Sequence, residues 1–229
     1  MPVKHTKSRN AEQAKDAILR AAIAEFSREG VAGARTDQIA RSAGVNKALL
    51  YYYFKDKQAL YGAVLEHAFG RVYQKLMGIL DAKLTPGERI LGYAATHFDS
   101  LAENPPLCRV IYNEMTRTGE QQHLEVVARY RKQLVARLQA VLREGIASGE
   151  FRAVDPMNFG ISMAAANVFY FVSAPMFKAI TGMDPFTPAR IAARKAAVLD
   201  LIEHALFAHP TGKPSANGNK RARKREQAL

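Results

Sequence analysis

Residues 36–57 read TDQIARSAGVNKALLYYYFKDK, and their pattern predicts two short helices joined by a tight turn. Thr36 is placed to cap the first helix, with Asp37 in the first turn, where the helix dipole favours a carboxylate. Ile39 and Ala40 are apolar where that helix must face inward. Gly44, within Ala43-Gly44-Val45, supplies the permissive backbone of a sharp turn. Asn46 caps a second helix from Lys47 to about Tyr53, whose Leu50 lies four positions before Phe54 on one face. Successive helical positions differ by about 100°, so Tyr51, Tyr52 and Tyr53 fan over more than half of the circumference. They cannot all share the core with Leu50, and at least one presents its ring and hydroxyl outward beside Lys47. A short helix displaying lysine and tyrosine after a capped turn is the form in which a helix-turn-helix meets the DNA major groove.

The charge distribution agrees with a polyanionic partner. The 229-residue chain carries a formal net charge of +12 and is 48% apolar, enough for a sizeable core. Residues 1–60 hold 11 Lys/Arg against 6 Asp/Glu, residues 61–208 hold 16 against 14, and residues 209–229 hold 6 against 1. Positive charge is thus concentrated at the two ends, one of which contains the helix-turn-helix pattern. Cys108 is the only cysteine, which excludes an intrachain disulfide, fits a reducing cytoplasm, and reads as a buried small hydrophobe. The N-terminus lacks the apolar region of a signal peptide. Residues 156–177 run without a charge and are long enough to be tested as a membrane span. Asn158, Ser162, Asn167, Ser173 and Pro175 interrupt them, so a buried helix with no membrane contact is expected.

No segment alternates with a period of two, whereas helical spacing recurs throughout. A first helix is expected over residues 11–28, with Ala14, Ile18, Ala22 and Phe26 on one face and Gly30 just past its end. A long helix follows over about 57–83, through Leu60, Val64, Leu65 and Phe69. Thr85-Pro86-Gly87-Glu88 is a capping box with proline at the first helical position, and Asn104-Pro105, Asp155-Pro156 and Thr187-Pro188 repeat the cap-then-proline signal. These starts imply helices near 86–102, 105–117, 120–147, 156–180 and 188–208. The fold class expected is all-α with about nine helices: a three-helix DNA-binding domain over 1–56 and a larger helical domain over 57–208. Residues 209–229, polar and rich in Gly, Pro and Lys/Arg, are expected to form a disordered basic tail.

The first 65 or so positions resemble the tetracycline-repressor (TetR) family of bacterial transcriptional regulators. The matching residues are Thr36, Ile39-Ala40, Ala43-Gly44-Val45, Leu50-Tyr51, Tyr53-Phe54, Lys57 and Leu60, after the Ala-Ile-Leu and Phe26…Gly30 pattern of the first helix. The resemblance implies DNA contacts at Thr36, Lys47, Ala48, Leu49, Tyr51, Tyr53 and Lys57; the helix geometry adds Tyr52 and the capping Asn46 beside them, and Arg35 is either a phosphate contact or a surface charge. Among these, Thr36, Tyr51, Tyr53 and Lys57 would hold phosphates or fix position. Lys47 would donate to guanine O6 or N7, and Ala48 or Leu49 would pack on a thymine methyl. Asn46, Ala48 and Leu49 stand where the family often has serine, glycine and threonine, and Leu49 cannot donate to a phosphate. Lys4, Lys7 and Arg9 have the composition of either a minor-groove arm or an untidy terminus, and the basic tail that of either a salt-sensitive, non-specific DNA contact or a solubilising segment.

The resemblance also implies that the later helices bind a ligand and form a homodimer. The 156–180 segment is apolar on nearly every side, and the last helix carries Ile191, Val198, Leu199, Ile202, Ala205 and Leu206 at three- and four-residue spacing. Two such helices from each subunit would make a four-helix interface and set two recognition helices on a palindromic operator. His97, Phe98, Tyr112, Tyr130, Phe159, Met163, Asn167, Tyr170 and Phe177, with Phe169 and Met176, could line a pocket for a small, largely apolar effector, His97 and Asn167 being its polar anchors. The alternative is a DNA-bound interaction or architectural factor that recruits a protein and takes no ligand. The interior of residues 86–180 separates the two: a cavity of a few hundred Å³ favours the effector, a closed core the alternative. No nucleotide, phosphate-loop or HExxH motif is present. The histidines at 5, 67, 97, 123, 204 and 209 form no pair with metal-ligand spacing and a supporting carboxylate. Neither an enzyme, a cofactor nor a metal is expected.

Overall fold

The computed structural model describes residues 4–116 and 124–209, with side chains from residue 11 onward apart from Met115, Leu124 and Val127. Lys4, Lys7, Arg9 and the basic tail, proposed above as DNA contacts, have side chains outside the described residues, as has His123. The described part is all-α. Its ten helices are α1 (Lys4–Gly33), α2 (Thr36–Ser42), α3 (Lys47–Tyr53), α4 (Lys57–Leu80), α5 (Pro86–Glu103), α6 (Pro105–Thr116), α7 (Leu124–Ala147), α8 (Pro156–Val172), α9 (Ala174–Thr181) and α10 (Pro188–Leu206).

Most helix starts follow from their caps. Asn46 Oδ1 accepts the Leu49 N–H at 2.7 Å, Asp56 Oδ1 that of Ala59 at 2.7 Å, and Asp155 Oδ1 that of Asn158 at 2.7 Å. Thr85 and Glu88 close both arms of the capping box, at 3.2 and 2.9 Å. Two expected caps fail. Thr187 makes no side-chain cap bond. Thr36 is the first helical residue and not the cap: the extended Arg35 precedes it, and the Arg35 carbonyl accepts the first α2 bond from Ile39 at 3.1 Å.

Two boundaries also differ. The α1 helix begins at Lys4 and kinks at Gly30, whose φ of 67° is the left-handed conformation that favours glycine. The segment expected as one helix over 156–180 is two, α8 and α9, bent by 55°. Pro175 has no N–H to offer the ladder, and its ring crowds the preceding turn, so the helix ends at Val172 and restarts after Ser173. Among the described residues no single helix is long and apolar enough to cross a membrane.

Three clusters of buried side chains organise these helices. The head core joins Ile18, Ala22 and Phe26 of α1, Ile39 of α2, Leu50 of α3 and Phe54 to Leu60, Val64 and Leu65 of α4. It reaches Val110 of α6, whose carbonyl lies 3.4 Å from the Tyr61 hydroxyl. The body core packs Leu76 and Leu80 of α4 with Ile90, Val141, Met163, Val198 and Ile202. The α4 helix thus contributes its first half to one core and its second half to the other. A third, small cluster sets Phe98, Cys108 and Phe171 together, and burial pushes the Cys108 thiol up to about 12.

At the foot of the body an antiparallel bridge pairs Phe151 with Phe207, whose rings meet edge-on at 5.2 Å. It returns the chain end of α10 to the α7–α8 connection through Arg152 N–H to Leu206 O, 2.9 Å, and Ala208 N–H to Glu150 O, 3.0 Å.

Candidate nucleic-acid interface and effector region

Gly44, at φ 67°, turns the chain between α2 and α3, and the Asn46 cap starts α3 with a defined direction. Leu50 is fully buried beneath it; burying one leucine side chain contributes about 2 kcal/mol, enough to fix which face of so short a helix points out. Lys47 and Ala48 lie on that outward face, while Leu49 is half-buried. The tyrosine row divides as the geometry requires: Tyr52 is 80% exposed, Tyr51 is 41% exposed, and Tyr53 packs half-buried on the head core.

A hydrogen bond of 3.0 Å between the Thr36 and Tyr51 hydroxyls ties the start of α2 to α3. The Lys47 ammonium lies 5.9 Å from the centre of the Tyr51 ring, one helical turn away. Thr36, Tyr51 and Lys47 are therefore contiguous. Arg35 is exposed and pairs with Asp37 at 3.2 Å.

Lys57 sits elsewhere. Its ammonium donates to the Ala32 and Ala34 carbonyls, at 2.8 and 3.1 Å, so two of its three protons are held by the end of α1. Glu25, which the sequence did not single out, organises the same junction: it is buried, accepts the Arg35 N–H at 3.3 Å and pairs with Arg28. A glutamate within an amphipathic helix reads as a solvated charge, and only the return of Arg35 onto it shows otherwise.

In the body, His97 of α5 and Asn167 of α8 do come together. The Asn167 amide nitrogen donates to the Ala94 carbonyl at 3.0 Å and meets His97 Nδ1 at 3.2 Å. A carbonyl only accepts, which fixes the amide orientation. His97 Nδ1 must then accept as well, and the neutral ring carries its proton on Nε2. Burial, with the Arg131 charge acting in the same direction, lowers the His97 pKa to about 4, although the side chain keeps some accessible surface. His97 thus stands at the partly accessible edge of the contact between α5 and α8. Asn167 itself is fully buried, and its Oδ1 has no hydrogen-bond partner.

Phe98 and Tyr170 join this region, their ring centres 6.5 Å apart, and the Tyr170 hydroxyl donates to the Pro185 carbonyl. The remaining expected pocket residues disperse. Tyr112 is exposed on α6, and Phe169 and Met176 are exposed on α8 and α9. Tyr130 packs on Phe69 and Tyr73 of α4 and bonds Glu66. Met163 belongs to the body core, Phe159 packs against it, and Phe177 is half-buried on α9. Two cavities of about 310 and 210 Å³ lie where α1 meets α4, α5 and α6, and residues 86–180 enclose neither of them. Among the described residues no group of three His, Cys, Asp or Glu side chains is placed to hold a metal ion.

Residues 18–64 match the model of bacterial regulatory proteins of the tetR family, and residues 86–202 that of the tetracyclin repressor-like C-terminal domain. The chain belongs to the TetR family. It is similar to the HTH-type transcriptional regulator RutR of Escherichia coli K12, 30% identical over 176 residues, 77% of this chain and 82% of that protein. It is similar also to the HTH-type transcriptional repressor SCO4008 of Streptomyces coelicolor, 31% identical over 76% of this chain and 85% of that protein. The solved structure of FadR from Bacillus subtilis, in complex with stearoyl-CoA, superposes with a TM-score of 0.65 at 22% identity, covering 82% of this chain and 97% of that one. This TetR-family protein is a DNA-binding, helix-turn-helix regulator of transcription, and DNA binding and dimerisation come with the family.

Proposed function

We propose that this protein is a homodimeric repressor that leaves a palindromic operator when a small, largely apolar effector binds. Residues 1–56 form the DNA-binding unit of this reading and residues 57–208 the sensing and dimerising unit. The observation that carries it is α3: a capped helix with Leu50 locked inward and Lys47, Ala48 and Tyr52 outward. Thr36, Tyr51 and Tyr53 position the helix, while Lys47 to Leu49 read base edges. Arg35, Asn46 and Tyr52 flank that surface, and Lys57 offers a phosphate its one remaining proton. Similarity to a repressor, SCO4008, supports the sign of regulation.

The dimer face is supported by two stripes. On α8, Met157, Ile161, Ala165 and Phe169 recur every fourth residue and are all exposed. On α10, Ala189, Ala193, Ala197 and Leu201 do the same. The bulky ridge of one helix fits the shallow alanine groove of the other, as in packing of four-residue ridges. Val198, Ile202 and Leu206, named above for the interface, are instead buried in their own body core; Ile191 packs half-buried against the third cluster, and Leu199 against the body core.

The effector reading rests on the polar contact of His97 and Asn167 beside Phe98 and Tyr170, and not on an enclosed cavity, since neither cavity described above lies within residues 86–180. A buried acceptor without a donor costs about 1–3 kcal/mol, which a ligand N–H or O–H would offset. FadR with its stearoyl-CoA supports an acyl chain as one form of such an effector. Because α4 enters both cores, an effector that shifts its second half also moves the head. The test is Lys47→Ala, measured on an operator selected from a random pool and on random duplex. Specific binding should weaken by about 1–3 kcal/mol with relaxed discrimination. Equal losses on both DNAs would refute base reading by Lys47.

A further inference from the structure

We propose that the larger cleft, between α1, α4 and the α5–α6 junction, is a second ligand site, for a carboxylate with a compact apolar body. It goes beyond the α5–α8 effector reading, because its lining includes none of His97, Phe98, Asn167 and Tyr170. Its volume, about 310 Å³, is at the small end for organic ligands. Leu19 and Ile23 of α1, Ala68 and Val72 of α4 and Leu107 of α6 give it an apolar floor.

Its rim carries the chemistry. Lys75 bonds both oxygens of Glu103, at 3.0 and 3.1 Å, so these two charges satisfy each other and pin α4 to the end of α5. Arg20 of α1 and Arg71 of α4 also line the cleft, and neither has an ion pair or hydrogen bond among the described residues. Asp16 opposes them with a single negative charge. His67, which desolvation and the neighbouring Arg71 hold below its ordinary pKa against the pull of Asp16, adds little positive charge near pH 7. Two unpaired guanidinium groups against one carboxylate leave a net charge suited to a monoanion, and the planar fork of arginine matches a carboxylate through paired N–H donors.

A ligand seated there would touch α1 of the head and, on the other wall, Ser100 of α5, which belongs to the body. It would act as a wedge that sets the tilt of the head, and so the spacing of two recognition helices in a dimer. Occupancy of this cleft and of the α5–α8 effector site proposed above would then report two different chemicals to one operator.

The experiment uses the full chain and two probes of equal shape, 4-phenylbutyrate and its neutral amide, titrated calorimetrically. The acid should bind at millimolar concentration or below, and the amide at least about tenfold more weakly. Arg20→Gln with Arg71→Gln should weaken the acid at least about tenfold while leaving the melting temperature unchanged, since both side chains are unpaired. Ser100→Trp should block the cleft sterically and, in a chain with no native tryptophan, report its folding by fluorescence. Equal affinity for acid and amide, binding that survives the double substitution, or no heat at millimolar acid would each overturn the proposal. Loss of binding in Asn167→Leu but not in the arginine variant would overturn it too, and would move the acid to the neighbourhood of Asn167. An inert cleft alongside ligand release through Asn167 leaves the function proposed above standing.

Discussion

Lys57→Met tests how the DNA-reading head is held to α4. Lysine at the first position of a helix faces the positive end of the dipole, which is unfavourable. Here the side chain turns back to the negative end of another helix, where its ammonium bonds the Ala32 and Ala34 carbonyls at 2.8 and 3.1 Å. A hydrogen bond from a charged donor contributes about 1.5–3 kcal/mol, less where water competes. One of these two bonds is exposed and the other partly buried, so their combined loss should cost about 2 kcal/mol, or roughly 4–8 °C in melting temperature for a chain of this size. Methionine keeps the apolar stem and removes only the donors. Urea titration followed by circular dichroism gives the stability, and operator binding at a series of salt concentrations gives the other half. If the third ammonium proton also holds a phosphate, the slope of log K against log salt should fall by about 0.9 per protomer. A stability change below about 0.5 kcal/mol, within the range of an ordinary surface substitution, would refute the staple. An unchanged salt slope with the full stability loss would leave Lys57 as a staple only.

Three other outcomes follow from the geometry. His97 is neutral in the folded chain, with a pKa near 4 against an ordinary 6.5, so the unfolded state binds the extra proton. Stability should therefore fall as pH drops from about 6.5 towards 4, by about 2 kcal/mol allowing for the partial accessibility of the ring, and His97→Gln should flatten that decline; parallel curves for the two proteins would exclude His97 as the cause. Gly145→Ala drives a methyl group into the Phe151 ring and should destabilise by about 2 kcal/mol, whereas Gly78→Ala, with open space around it, should stabilise by about 0.5–1 kcal/mol in the same thermal melts. Leu201→Glu, on the 55% exposed outer side of α10, should convert the dimer to a folded monomer in light scattering, and a dimer that persists would move the interface elsewhere.

The helix-turn-helix was legible in the sequence because its signals are local. The Asn46 cap, the Gly44 turn and the four-residue step from Leu50 to Phe54 lie within a window of about ten residues and need no partner to be read. The capping box at Thr85 and the proline-led helix starts were legible for the same reason. Pro175 was visible as well, but an apolar run on both sides suggested a continuous helix; the missing N–H and the ring's clash with the preceding turn decided for a bend.

The candidate site was only half legible. Sequence fixes that three adjacent tyrosines must diverge, but not that Tyr53 rests on the head core while Tyr52 stands clear. It marks Thr36 and Lys57 as helix starts, but not that the Thr36 hydroxyl meets Tyr51 fifteen positions on, or that Lys57 docks on α1. On α10 the larger apolar residues are spent within the subunit, and alanines remain for a partner.

Amino-acid order by itself determined the all-α class, most of the helix starts, the helix-turn-helix and the concentration of positive charge at the chain ends. Each is set by backbone geometry and side-chain chemistry over one or two helical turns. Only the tertiary structure decided that Asn167 keeps an acceptor without a donor, that His97 stays neutral beside it, and that Arg20 and Arg71 share a cleft. Those properties depend on which groups exclude water from which others, across separations of fifty or more residues, and helical periodicity carries no information about them.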